Sequence, residues 1–446
     1  MTMTAVSPTT AGQLLSPVPG ALSRSSPPPQ PGQPSAACLA AWRRLDPVFA
    51  QLSDTAADRE NTGELDHAAV EALRDAGFTT LRVPQEYGGS GLSFEEASAF
   101  LVALGKAESN LAQALRIHWI TVEDLLSRPE DQEHRDRWLT RIGGGAVVGN
   151  GLTEKNNTLG QTTTRLSTDP TRTDEQGRPL RVLNGTKYYS TGAAYADWIL
   201  VSATDDDGEP VSLALPTDAP GVEIIDDWEG FGQRLTASGT TTFTDAPVPA
   251  EEVSPPGDGL DSGARVAFGQ ALAQYVHLAT LVGIGEAILS EAADYVRRRP
   301  RGFSHGAAEL PKDDPQVLQV VGQISASVFG ARASFTAVLP ELARQLHAER
   351  AEAPNDEETD RLYLSVYQAQ QVIAKAVLSA ATELYEVGGA SATSRRTAFD
   401  RHWRNARVLA SHNPLIYRAR IIGDWEVNST PVDRSYRVGT QPRTTS

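Results

Sequence analysis

The chain has 446 residues, with 40 Lys and Arg against 56 Asp and Glu, and therefore a formal net charge of −16. This charge argues against a nucleic-acid-binding protein and against one that is attracted to anionic lipid. The single cysteine, Cys38, excludes an intramolecular disulfide framework and a cysteine-cluster metal site. Because no membrane-length apolar run and no secretory signal is recognisable, we predict a cytoplasmic protein without membrane or nucleic-acid partners.

The first 36 residues contain 8 of the 28 prolines and one charged residue, Arg24, so residues 1–36 are predicted to be a disordered tail. Residues 433–446 are predicted to be a second, shorter tail. Residues 37–145 repeat apolar side chains at three- and four-residue spacing, which predicts an N-terminal helical domain. In this domain, Asp66 is typical of a helix N-cap and Gly77 of a helix end.

Residues 146–255 consist of short β-branched runs separated by Gly, Asn and Asp, which predicts a central antiparallel β domain. The pair Asn184-Gly185 is the strongest hairpin signal in the chain, and the polar stretch 167–179 predicts a solvated loop. Long helical periods return over residues 256–432 and predict a C-terminal four-helix-bundle domain. The predicted helices in it are 262–298, 314–349, 358–387, 397–410 and 414–427. The predicted fold class is therefore mainly α with a central β domain.

The common self-contained site motifs are missing from this sequence. It has no GxxxxGK[ST], no GxGxxG after a strand, no HExxH and no GxSxG. None of its eight histidines is spaced from a carboxylate as metal ligands are, so no metal is predicted. The function has to be inferred from the order of the segments instead.

Four segments, taken in the order helical, β and helical, resemble the acyl-CoA dehydrogenase superfamily over about residues 37–430. These segments are Phe78–Gly89, Gly151–Glu154, Asn184–Gly192 and Gly232–Thr240. The resemblance implies that superfamily's fold, in which a helical domain, a β domain and a helical bundle together hold a flavin.

A departure from the dehydrogenase pattern indicates the branch. Acyl-CoA dehydrogenases commonly carry a catalytic carboxylate after the Gly-Gly turn, whereas residues 390–396 hold no Asp or Glu here. Removing an α-proton from a thioester needs a positioned base, so dehydrogenation is disfavoured. The segments 402–407 and 411–414 instead resemble the flavin-dependent monooxygenase branch, which includes dibenzothiophene monooxygenases and nitrososynthases.

For the cofactor, the resemblance implies that Thr153 and Thr191 hydrogen-bond the flavin ring and that Tyr189 lies near it. Arg301 matches an arginine that meets the flavin phosphate across a subunit interface. The turn beside that phosphate is implied to be formed by Gly388, Gly389 and Ser391. From its residue type alone, Tyr189 could equally be ordinary sheet filling.

For the chemistry, the resemblance implies catalytic roles for His412, His118 and Asn150, with Trp228 lining the substrate side. We expect His412 to be the proton donor, since an imidazole titrates near working pH. The residues themselves leave alternatives open. His412 could cap a helix, His118 could be a packed core histidine, and Asn150 could serve backbone geometry alone.

The branch implies reduced FMN, supplied by a separate NAD(P)H-dependent flavin reductase; FAD fits less well. Such enzymes form a C4a-hydroperoxyflavin with O2 and oxygenate a small sulfur, nitrogen or carbon nucleophile. A homotetramer is expected, because a phosphate site shared between subunits would be incomplete in a monomer. The alternatives are a dehydrogenase or oxidase of the same fold, and a non-catalytic assembly partner that has lost flavin.

Overall fold

The computed structural model describes residues 33–127, 132–155, 157, 161–174, 176–254, 263–349 and 356–434. Most of the two predicted tails, residues 1–32 and 435–446, lies outside the described residues. The last residues of the predicted N-terminal tail are ordered, because the Ser35 side chain accepts a hydrogen bond from the Cys38 backbone N–H and caps the first helix.

The N-terminal part is helical, as predicted. Its helices in the described residues are α1 (Ala36–Asp54), α2 (Ala56–Thr62), α3 (His67–Asp75), α4 (Phe94–Ala107), α5 (Ser109–Ala114), α6 (Arg116–Leu126) and α7 (Gln132–Gly143). The Asp66 side chain accepts from the Ala69 backbone N–H, which confirms the predicted N-cap of α3. Gly77 follows α3 with a φ of 83°, the left-handed conformation in which helices often end.

The central part is one sheet, whose order is β6-β7-β3-β2-β4-β5-β8, with β1 beside β4. Its strands are β1 (Val148–Gly151), β2 (Arg165–Thr173), β3 (Pro179–Lys187), β4 (Trp198–Thr204), β5 (Pro210–Pro216), β6 (Val222–Ile225), β7 (Thr240–Val248) and β8 (Val253–Ser254). Most neighbours are antiparallel, as predicted, but β1 pairs with β4 in parallel. Buried side chains such as Leu166, Ile199 and Leu213 give this sheet a core of its own.

Two predictions about this sheet are wrong. The stretch 167–179 is not a loop, since strand β2 occupies residues up to Thr173 and pairs with β3 across a turn that ends at Pro179. Asn184-Gly185 is not a hairpin turn but an irregularity within β3, where the register against β7 shifts. Gly185 has a φ of 149°, and a Cβ there would lie 2.7 Å from the Thr164 Cα, so only glycine fits this bulge.

The C-terminal part is a helical bundle close to the predicted one. Its helices in the described residues are α8 (Gly263–Arg298), α9 (Pro315–Glu349), α10 (Asp356–Glu383), α11 (Asp400–Ser411) and α12 (Leu415–Asn428). Helix α8 lies at the centre and packs against α4, α9 and α10. Residues 269–298 are long and apolar enough to cross a membrane, but most of this stretch is buried inside the protein.

Helix α4 crosses α8 at a pair of glycines. A Cβ on Gly283 would lie 2.4 Å from the backbone carbon of Gly105, so the two backbones touch where side chains are absent. The close approach explains why Gly283 interrupts an otherwise apolar helix. It joins the N-terminal helices and the bundle into one core.

Helix α11 runs antiparallel to α8. Near its start, the imidazole of His402 lies 2.9 Å from the Glu291 carboxylate on α8. Just beyond its end, the ring of His412 lies 4.4 Å, centroid to centroid, from that of His277, which is earlier in α8. The ten residues from 402 to 412 span about 15 Å along a helix. These two contacts therefore mark opposite ends of the α8–α11 interface.

Candidate active site

The segment after β3 lies against β1 and the residues that follow it. The Asn150 backbone N–H donates to the Thr191 carbonyl at 3.2 Å, and the Tyr188 backbone N–H donates to the Thr153 carbonyl at 2.9 Å. The Asn150 side-chain amide donates to the Tyr189 carbonyl at 3.0 Å. Four of the predicted site residues, Asn150, Thr153, Tyr189 and Thr191, are therefore brought together, and we call the two segments that hold them, 150–153 and 189–192, the platform.

Tyr189 has an unusual conformation on the platform. Its φ is 59°, a left-handed value that costs a bulky residue roughly 1–2 kcal/mol. The residue is 46% exposed, and its ring makes an edge-to-face contact with the Trp228 ring, 5.8 Å between centroids. The indole N–H of Trp228 donates to the Gln233 carbonyl at 3.0 Å, which fixes the ring. A strained, exposed tyrosine held against a fixed tryptophan is typical of a binding surface rather than of sheet filling.

Polar atoms on the platform lack partners. The Asn150 side-chain oxygen and the Ser190 hydroxyl are buried and have no hydrogen-bond partner in the described part of the chain. The Thr191 hydroxyl lies 2.8 Å from that of Ser238, which lies 2.7 Å from that of Thr236. Leaving buried polar atoms unpaired costs free energy, so they are expected where a ligand supplies the partner.

His412 lies where the α8–α11 interface ends. Its ring packs on that of His277, yet the residue as a whole is exposed to solvent. The side-chain amide of Asn413 is oriented so that both of its polar atoms have partners. The amide nitrogen donates to Nδ1 of His412 at 3.1 Å, and the amide oxygen accepts from the Gln274 side chain at 3.0 Å. His412 then accepts at Nδ1 and carries its proton on Nε2.

The expected titration of His412 near working pH is wrong for this environment. Desolvation by the protein atoms that surround its ring, and after it the charge of Arg116, lowers the pKa of His412 to about 3, although part of the residue reaches solvent. The same two influences, together with His412 itself, hold the pKa of His277 well below its usual value. His412 is therefore a neutral imidazole at working pH, and what it can offer is a hydrogen bond from Nε2–H rather than an imidazolium proton.

Arg116 and His277 form a polar group that sequence reasoning missed. Arg116 is the first residue of α6 and is 93% buried, and its Nε has no hydrogen-bond partner among the described residues. His277 is 98% buried, and neither of its ring nitrogens finds a partner in the described ranges. The sequence did carry a signal for both residues, because each is a charged or titratable residue within an apolar helical run. The structure shows those runs to be core, since every residue from 107 to 123 and from 271 to 285 is buried.

The start of α6 is close to the platform. A Cβ on Gly192 would lie 2.2 Å from the carbonyl oxygen of Ala114, two residues before Arg116. The loop after Trp228 also ties the platform to α11, because the Gln233 backbone N–H donates at 2.6 Å to the side chain of Asn405, in the first half of that helix. The platform therefore lies close to the start of α6 and to the first half of α11, and the charge of Arg116 on α6 in turn influences His412 beyond the end of α11.

His118 has both ring nitrogens occupied by backbone. Its Nε2 lies 2.8 Å from the Thr79 carbonyl, and its Nδ1 accepts from the Val148 N–H at 3.3 Å. Burial lowers its pKa to about 4, so it is neutral. This geometry favours a positioning role, in which His118 joins α6 to β1 beside Asn150, over the predicted direct part in catalysis.

The predicted phosphate-binding residues lie together elsewhere. The Arg299 guanidinium donates to the Val387 carbonyl at 2.9 Å, and a Cβ on Gly389 would lie 3.1 Å from the Phe303 ring. Arg301 and Ser391 are both exposed, and Gly389 has a φ of 55°. The structure thus brings the segment 299–303 against the Gly388–Ser391 turn, near the end of α11 that is remote from His412.

Three models of the acyl-CoA dehydrogenase family match consecutive parts of the chain. The N-terminal domain model matches residues 48–146, the middle domain model residues 149–246 and the C-terminal domain model residues 275–415. The sequence is also 30% identical, over 417 residues, to the probable FMNH2-dependent monooxygenase SfnC of Pseudomonas putida. This match covers 90% of the present chain and 96% of that protein.

Solved structures give the same picture. The FMN-bound structure of the dibenzothiophene monooxygenase TdsC from Paenibacillus sp. A11-2 superposes with a TM-score of 0.79 at 27% identity, over 90% of this chain and 99% of that one. The methanesulfinate monooxygenase MsuC from Pseudomonas fluorescens superposes with a TM-score of 0.78 at 25% identity, again over 90% and 99%. Both likenesses extend over the helical, β and helical parts.

Proposed function

The chain belongs to the acyl-CoA dehydrogenase family, and on that premise we propose that it is a two-component monooxygenase, which uses reduced FMN and O2 to oxygenate a small nucleophilic substrate. Support comes from the names of its relatives, which are FMNH2-dependent, dibenzothiophene and methanesulfinate monooxygenases. The substrates in these names favour a sulfur atom over nitrogen or carbon as the position that is oxygenated.

One observation carries the proposal. The turn in which dehydrogenases of this family place their base contains no carboxylate between residues 390 and 396, and His412 is a neutral histidine. Without a carboxylate at that position the removal of an α-proton is disfavoured, whereas such a site can hold and protect an oxygenating flavin.

The residues present fit a flavin. The unpaired Asn150 side-chain oxygen and Ser190 hydroxyl offer hydrogen bonds to ring heteroatoms, with Thr153 and Thr191 beside them. Tyr189 offers an aromatic edge to the ring. Reduced FMN, when bound, supplies the two electrons with which one atom of O2 enters the substrate and the other leaves as water. We propose FMN rather than FAD, and a separate NAD(P)H-dependent reductase as its source.

We also propose that each site is completed by a second copy of the chain, within a homotetramer. Arg301 and Ser391 are exposed at one end of the α8–α11 interface, whereas His412 lies at the other end, about 15 Å away by helix rise. Glycine amides and an arginine suit a phosphate. A neighbouring copy can bring these proposed phosphate-binding residues to the platform.

The proposed role of His412 is to donate a hydrogen bond from Nε2–H to the oxygen that is not transferred. Its Nδ1 is held by Asn413, and that contact orients the ring. Asn150 and Trp228 would line the proposed substrate site on the platform side. A positioned donor contributes roughly 10²–10⁴-fold to such a step.

The test is turnover with FMN, a flavin reductase, NADH, O2 and a panel of thioethers, sulfones, sulfinates, amines and phenols. We expect His412→Ala to keep FMN binding and assembly, to lose product by at least 100-fold and to release more hydrogen peroxide. Arg301→Ala should instead weaken FMN binding at least 10-fold, because it removes a charge-assisted contact to phosphate. The exposed neighbour Arg298→Ala is its matched control.

Three results would contradict the proposal. Reduction of the flavin by an acyl-CoA would show a dehydrogenase, and failure to bind flavin would show a non-catalytic scaffold. Full coupling of NADH use to product in His412→Ala would show that this histidine has only a structural role.

A further inference from the structure

Arg116 is a buried cation with no anionic partner in the part of the chain that the structure describes. It makes no hydrogen bond or ion pair within the described residues, and no carboxylate offsets the effect of burial on its charge. Of its guanidinium nitrogens, only Nε is both unpaired and sealed from solvent, so the terminal nitrogens, which also lack partners, still reach open space. A guanidinium in this position is ready to bind an oxyanion in a planar, two-point contact.

His277 adds two more unused polar atoms on α8, the helix against which the Arg116 helix α6 packs. Both of its nitrogens are buried and unpaired in the described ranges, and its ring packs on that of His412. The Arg116 charge is close enough to depress the pKa of both histidines. A neutral histidine carries one N–H donor, so this group of residues can offer an anion donors from two different helices, α6 and α8.

We propose that Arg116 and His277 form an anion subsite, which holds a sulfinate, sulfonate or carboxylate group of the substrate beside His412. The inference rests on the proposed function, and it narrows the substrate class to small organic anions. The flavin phosphate is a poor candidate for this subsite, because in the proposed assembly the residues around Gly389 and Arg301 of a neighbouring copy hold it.

The experiment measures equilibrium binding to the FMN-loaded protein by calorimetry, with matched pairs of anionic and neutral probes. The pairs are methanesulfinate with dimethyl sulfone and benzenesulfinate with methyl phenyl sulfone. We expect at least one sulfinate to bind at least 10-fold more tightly than its neutral partner. Arg116→Gln should abolish this preference, since a hydrogen bond to a charged group contributes roughly 1.5–3 kcal/mol, or about 10- to 100-fold.

Arg43→Gln is the matched control, because Arg43 is exposed on α1, and it should leave both affinities unchanged. His277→Phe, which fills the same space with an apolar ring, should weaken sulfinate binding about 3- to 10-fold. This variant tests the subsite independently if Arg116→Gln does not fold. Equal binding of anionic and neutral probes, no binding of either sulfinate, or an unchanged preference in Arg116→Gln would overturn the inference.

The two proposals fail in different ways. A protein that binds FMN and oxygenates only neutral compounds would refute the anion subsite and leave the monooxygenase proposal standing. A protein that binds a sulfinate through Arg116 but neither binds nor uses flavin would refute the monooxygenase instead.

Discussion

Replacing Arg116 with methionine should make the ligand-free protein more stable. Most substitutions of buried residues are destabilising, because they remove contacts or leave a partner unpaired. Arg116 has no partner in the described part of the chain, so Arg116→Met leaves no group unsatisfied. It exchanges a buried charge for an apolar side chain of similar length, which is the kind of change that stabilises proteins with uncompensated buried ions.

The expected size follows from the pKa. Burial lowers the pKa of Arg116 to about 10, well below the usual value of a guanidinium, and a shift of this size corresponds to about 3 kcal/mol of destabilisation of the charged form. The unfolded chain holds the proton more tightly, so the wild type gains stability only as pH rises above about 10, and it bears the full cost at pH 7. Because methionine will not fill the space perfectly, we expect Arg116→Met to gain about 1–3 kcal/mol.

The assay is chemical denaturation at pH 7, with and without methanesulfinate. Without the anion the variant should unfold at higher denaturant than the wild type. An anion at 100 times its Kd stabilises the wild type by about 2.7 kcal/mol and leaves the variant unchanged. The difference in unfolding free energy between the two proteins should therefore shrink or change sign. Arg59→Met is the control, because Arg59 is equally buried but paired with Glu108 at 2.9 Å, and it should lose about 3–5 kcal/mol. A loss of stability in Arg116→Met like that of Arg59→Met would refute the reasoning.

Three further outcomes are expected. Because His412 is neutral when folded, with a pKa of about 3, the pH profile of kcat/KM between pH 6 and 8 should show no step that disappears in His412→Gln, and such a step would contradict the assignment. Lys187→Met should cost about 3–5 kcal/mol in denaturation, because it strands the buried Glu154 carboxylate 2.8 Å from the lost ammonium, and Glu154→Gln in the same chain should recover most of the loss. Tyr189→Gly should relieve roughly 1 kcal/mol of backbone strain but weaken FMN binding in a fluorescence titration. Unchanged FMN binding would show that Tyr189 has only a packing role in the sheet.

The fold was largely predictable because its signals are local and long. The apolar periods of α8 and α9 run for 36 and 35 residues, and the predicted ends differ from the observed ones by a single residue at most. The wrong predictions fall where a local signal was outweighed by a distant contact. Asn184-Gly185 resembles a hairpin turn, but the Asn184 side chain pairs with Asp245, 61 residues away, and Gly185 meets Thr164 across the sheet.

The platform was predictable for a different reason, since its residues lie in short motifs that the chain shares with its family. The Arg116–His277 pair lies in no such motif, and its members are 161 positions apart on separate helices. Helical periodicity describes one helix at a time, and it cannot tell which buried polar residue faces which. The sequence showed that each residue lies in an apolar context. Only the structure shows that both lie near His412.

The other fully buried arginines of the described residues show why Arg116 deserves a functional explanation. Arg401 pairs with Glu291, and Arg418 donates to the Tyr367 hydroxyl at 2.6 Å, so each has found a partner within the fold. Arg59 has done the same with Glu108. A chain that pairs these three but leaves Arg116 alone pays for an unpaired charge that an apolar residue would avoid. An unpaired buried charge is retained, despite its cost in stability, where a ligand supplies its partner, and for Arg116 that ligand would bind beside His412.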